Sequence, residues 1–148
     1  MKNIYIGLLV FILSVAWVWS DSSIEPLEEG QVFFPKQGLT LQVELAKTKK
    51  QRALGLMYRP SLALNKGMLF EFEQEAIQRV WMKSTLIQLD IIFLSEQKEI
   101  VSIIKNLQPC SQKECGVYSS KRKAKYMLEI NAGMIMNNGI RIGQKVSF

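Results

Sequence analysis

"RVWMKSTLIQLDIIFL", residues 79–94, decides how the chain is read. Apolar residues run almost unbroken through it; only Arg79, Lys83 to Thr85, Gln88 and Asp90 interrupt them. These polar residues are either a site or the exposed positions of a strand pair. On a strand, Trp81 and Lys83 share one face and Met82 takes the other. A turn over Ser84 to Gln88 would bring the chain back and set Asp90 roughly across from Lys83. "LDIIFL" is apolar on both faces, as an interior strand would be.

The flanking segments carry strand periodicity. "LTLQVELA", residues 39–46, alternates strictly, with Leu39, Leu41, Val43 and Leu45 on one side. "GMLFEF", "EIVSIIKNL", "KYMLEI" and "QKVSF" read as further strands, and "SEQKE" as a hairpin turn. In "KYMLEI", Tyr126, Leu128 and Ile130 alternate with Met127 and Glu129. Thr48 and Gln51 have capping-box spacing, which predicts a helix from about Lys49 to Tyr58, stopped by Pro60. "NAGMIMNNG" holds one helical turn closed by Gly139. Seven or so short strands predict a mainly β fold. We expect an antiparallel β-sandwich or barrel-like single domain with one or two short helices.

The chain has 148 residues, and its start reads as targeting rather than fold. Lys2 precedes the apolar run Ile4–Trp19, and Ser20-Asp21-Ser22-Ser23 follows, the order of a secretory signal. The run is 16 residues, short of the roughly 20 that span a bilayer. Residues 1–20 are therefore expected to be a signal peptide or an N-terminal membrane anchor. The protein is expected to be exported, periplasmic or extracellular, and tethered to the inner membrane through residues 4–19 if these stay uncleaved. Residues 21–37, with Pro26, Pro35 and an acidic start, read as a linker, and residues 38–148 as the β domain. The net charge of +6 suits solubility. "SKRKAK" is too short and too poor in aromatics to argue for nucleic acid.

There is no histidine. That excludes Ser-His-Asp and Cys-His nucleophiles and the commonest metal ligand. Cys110 and Cys115 lie in a polar loop, "PCSQKECGVY". In an exported protein such a pair reads as a structural disulfide rather than a redox or metal-binding dithiol. Met57, Met68, Met82, Met127, Met134 and Met136 raise copper(I), but methionine fills cores readily, so no metal and no cofactor are expected.

Four stretches in order resemble one family. "VELAKTKKQRALGLMYRPSLALNKGMLFEF" resembles its opening V-E-[IL]-A-x-T…GLM-x-R…GMLF-x-F. "WMKSTLIQLDIIFL" is similar to its W-M-K-N-T-x-[IL]-P-L-D signature. "CGVYSSKRKAKYMLEINAG" and "GIRIGQKV" resemble its later elements. This is the DUF192 (UPF0127) family, and the resemblance covers residues 39–148. It implies a small exported or membrane-tethered β protein and no established activity. Ser84, Gln88, Lys123 and Gln144 depart from the family's Asn, Pro, Pro and Asp.

The candidate ligand-binding residues are Arg59, Trp81, Lys83, Thr85 and Asp90, with Glu44 and Arg52 nearby in motif order. Arg59 and Lys83 would hold an anionic group, and Trp81 would stack on a flat or sugar-like ligand. The bland alternative is a buried Lys83–Asp90 pair that sets register, with Arg59 complementing a helix C-terminus. The expected role is non-enzymatic binding of a small anionic or carbohydrate-like ligand, or of an envelope partner. The competing reading is a hydrolase or lyase that uses Asp90 and Lys83.

Overall fold

A computed structural model describes residues 25–148, so the signal or anchor expected at residues 1–20 lies outside the described residues. The strands are β1 (Glu28–Phe34), β2 (Leu39–Ala46), β3 (Lys66–Ala76), β4 (Arg79–Trp81), β5 (Leu89–Leu94), β6 (Ile100–Leu107), β7 (Val117–Ser119) and β8 (Ala124–Asn131). Two short helices, α1 (Lys49–Leu54) and α2 (Met134–Asn137), complete the described elements. The mainly β expectation holds. Six strands form one sheet in the order β1-β2-β3-β8-β5-β6, and β4 pairs with β7 in a separate two-stranded ribbon.

The sheet is mixed, because β2 and β3 run parallel, and it is open rather than closed into a barrel. Parallel neighbours need a long crossover. Here residues 47–65 supply it and carry α1. The helix starts as its sequence predicts. Gln51 N donates to Thr48 Oγ1, and Thr48 N donates to Gln51 Oε1. It stops at Leu54, before Tyr58, because Gly55 turns with φ 49°. A Cβ on Gly55 would also sit 3.2 Å from the Phe70 ring.

Every residue of β5 is buried, so the sheet has a core on each face. On one face Val32, Phe34, Leu41, Val43, Ile92 and Leu128 pack under Ile135, Ile140 and Val146. On the other, Met68, Phe70, Ile91, Phe93 and Met127 pack under Leu56, Val80 and Met82. Each such apolar side chain contributes roughly 1.5–3 kcal/mol on burial, so both faces matter to stability. Met68, Met82 and Met127 are therefore core residues, as the packing role of methionine suggests.

Several expectations need correction. Residues 28–34 are not linker but β1, paired with β2, with Val32 and Phe34 buried. Their alternation is visible only in the last residues of the segment, so the acidic start hid it. "RVWMK" and "LDIIFL" are not a strand pair: β4 joins β7, and β5 lies between β8 and β6. Ser84, at φ 54°, turns the chain away, and its N–H donates to Cys110 O at 3.0 Å. "QKVSF" makes isolated bridges, Lys145 with Glu99 and Ser147 with Phe33, rather than a strand.

Candidate functional site

The register of the sheet aligns three residues across neighbouring strands: Glu44 of β2 faces Met68 of β3, and Met68 faces Glu129 of β8. Ile91 of β5 continues the row. Cross-strand partners share a face, so two carboxylates point toward the α1 side of the sheet with Met68 between them. Gly67 lets the strands close there, since a Cβ on it would lie 2.7 Å from the backbone O of Glu129.

The two carboxylates have different fates. Arg59 reaches back from beyond α1 and grips Glu44 with both arms, Nη1 to Oε1 at 2.5 Å and Nη2 to Oε2 at 2.6 Å. That hydrogen-bonded pair lowers the Glu44 pKa and raises that of Arg59. Arg59 thus complements Glu44 and not a helix end, which lies at Leu54. Glu129 is 6% exposed, and its carboxyl keeps contact with the pocket rather than being sealed away without a partner. Burial pushes its pKa up to about 8, against a smaller opposing pull from the Arg59 charge.

Glu129 borders a pocket of about 80 Å³ between α1, β3, β8 and the β4–β7 ribbon. Trp81, Thr85, Arg79, Arg52 and Phe70 border it too. Thr85 is buried, whereas Trp81 is 46% exposed and forms the outer wall. Arg52 is tied down, with Nη1 donating to the backbone O of Lys47 and of Glu71 and Nη2 reaching Glu73. Arg79 is exposed at the rim.

The sequence candidates separate accordingly. Trp81 and Thr85 meet in the pocket. Lys83 stands outside it, exposed, with Nζ 5.4 Å from the centroid of the Trp81 ring. Asp90 is on the opposite face of the sheet, in the row with Ile130. Its Oδ1 accepts from Asn106 N at 2.8 Å and its Oδ2 from Ile135 N at 2.9 Å. It pins the start of α2 and the left-handed Asn106, and it makes no pair with Lys83. Glu129 was the residue that pattern reading missed. The available signal was a Glu in a strand whose neighbours Met127, Leu128 and Ile130 are apolar on both faces. Cys110 and Cys115 are bonded as expected, with Cα atoms 6.0 Å apart.

Residues 32–148 match the family model DUF192, described as an uncharacterized ACR. The chain belongs to the DUF192 family. Two solved structures are similar to it. One is a protein of unknown function from Novosphingobium aromaticivorans, 31% identical with a TM-score of 0.76, over 82% of this chain and 86% of that one. The other is a putative transcription regulator from Sinorhizobium meliloti, 32% identical with a TM-score of 0.75, over 84% of this chain and 97% of that one. No curated protein matches this DUF192 chain.

Proposed function

We propose that this DUF192 domain binds a small polar ligand without transforming it, in the pocket between α1 and the β4–β7 ribbon. A flat or sugar-like ring lies on Trp81, and a polar group enters toward Thr85 and Glu129. The observation that carries this reading is the Glu129 carboxyl, on a residue only 6% exposed that borders the open space of the pocket. A ligand group that hydrogen-bonds this carboxyl would contribute about 0.5–1.5 kcal/mol. The hydrolase or lyase reading loses its residues, because Asp90 and Lys83 lie on different faces and Asp90 is spent on backbone amides. An exported site of action fits the leading apolar run and the disulfide.

Thermal shift of the full chain against D-glucuronate, D-glucose and D-glucosamine tests the site. Stabilisation by one of these sugars is expected to vanish in Trp81→Ala and to weaken in Thr85→Val. Stabilisation that survives both substitutions places the ligand elsewhere.

A further inference from the structure

We propose that the group entering the pocket is a carboxylate, which accepts a hydrogen bond from the buried carboxyl of Glu129 while Arg79 supplies positive charge at the mouth. This rests on the binding site described above and adds the charge of its ligand.

Size comes first. Pockets that enclose a whole small molecule run to roughly 300–1,000 Å³. A space of about 80 Å³ admits one functional group, while the rest of the ligand lies on the exposed ring of Trp81.

Charge comes second. The charged groups around Glu129 are Arg59 beyond α1, whose charge reaches it, Arg52 on α1 and Arg79 on β4, which border the pocket, Glu44 on β2 in its row, and Glu73 on β3 beside Arg52. The flanking strands oppose it with only Met68 and Ile91. Glu44 and Arg59 neutralise each other. Arg52 spends its donors on two carbonyls and is paired with the exposed carboxylate of Glu73, 3.4 Å from its Nη2. With Glu129 neutral, two guanidinium groups border the pocket, of which Arg79 has no ion-pair partner among the described residues, and no ionised carboxylate lines it. An ammonium would have to pass both. A hydroxyl would leave the positive charge unanswered.

Hydrogen bonding comes third. A neutral carboxyl has one proton to donate, and a carboxylate is the acceptor that makes the shortest, strongest O–H···O⁻ contact. A pH signature follows. With a Glu129 pKa of about 8, raising the pH from 6.5 to 9.5 leaves about 3% of the pocket neutral. The remainder repels the ligand, and affinity falls about thirtyfold.

Calorimetric titration of the full chain with D-glucuronate, D-glucose and D-glucosamine at both pH values decides it. At pH 6.5 glucuronate is expected to bind about tenfold tighter than the other two. Its affinity is expected to fall about thirtyfold by pH 9.5, with proton uptake on binding there. Glu129→Gln, which keeps a donor of the same shape, should flatten that pH dependence. Arg79→Ala, at an exposed position, should bring glucuronate down to the level of glucose, and it keeps the test open if Glu129→Gln fails to fold. Glucose or glucosamine binding as tightly as glucuronate, or a glucuronate affinity that ignores pH, overturns the carboxylate assignment and leaves the binding site standing. No binding by any of the three overturns both.

Discussion

Glu44 and Glu129 stand two strands apart in one row of the sheet, and Arg59 hydrogen-bonds only the first. One carboxylate is held ionised by its cation. The other is held neutral by its burial.

The neutral one makes stability depend on pH. The folded pKa of Glu129 is about 8, against an unfolded value near 4.5. Between those values the folded state keeps a proton that the unfolded state has released. Stability therefore falls as pH rises, by up to about 1.4 kcal/mol per pH unit, and levels off above pH 8. Urea unfolding of wild type and Glu129→Gln from pH 5 to pH 9 is expected to show this slope only in the wild type. Parallel curves would refute it.

Glu44→Gln should act at a distance. It removes a half-buried bidentate pair, expected to cost about 1 kcal/mol. It also leaves the Arg59 charge uncancelled near Glu129, so the Glu129 pKa should fall. Carboxyl carbon chemical shifts followed through a pH titration read this directly. An unchanged or raised Glu129 pKa would contradict the shared row. The Glu44 pair itself has the opposite sign from Glu129. Its lowered pKa gives stability that is present above pH 4.5 and lost as pH falls below that value.

Asp90 is a structural residue, and its substitution should separate stability from binding. Asp90→Ala strips partners from the amides of Asn106 and Ile135 and should cost about 2–4 kcal/mol. Lys83→Ala, at an exposed side chain resting on Trp81, should change stability by under about 0.5 kcal/mol. Denaturant titration of both variants checks the contrast. Equal losses would mean that the two residues do work together.

The disulfide should hold the ribbon more than the sheet. Cys110 exchanges backbone hydrogen bonds with Met82 and Ser84 just beyond β4, and Cys115 leads into β7. Reduction should cost at most about 2 kcal/mol, as for a small ring. Amide exchange should speed up at Ser84 and Cys110 while the β5 amides stay protected. Uniform acceleration would count against a local role.

Much of the fold was legible because its signals are local. The alternation of residues 39–46 and the Thr48–Gln51 cap each depend on a handful of neighbours, and both formed as read. The parallel pairing of β2 with β3 and the partnership of β4 with β7 are choices between distant segments, which periodicity does not encode. The candidate pocket was legible in part. Trp81 and Thr85 stood in the most distinctive motif, and both border the pocket. Asp90 stood in the same motif, yet the alternation of β5, one residue past Leu89, carried it to the other face. Glu129 was taken for the polar partner in an alternating strand. It became the floor of the pocket only because β3 and β5 flank β8 on both sides.

The central claim, that the Trp81–Thr85–Glu129 pocket is the binding site, is tested most directly by amide and indole chemical-shift mapping. Glucuronate is titrated into the full chain at pH 6.5. Saturable shifts are expected at the Trp81 indole and at the amides of Thr85 and Glu129, and they should be absent in Trp81→Ala. Saturable shifts gathered instead at the groove of Leu45, Tyr126 and Phe148, or no saturable shift anywhere, would contradict the account.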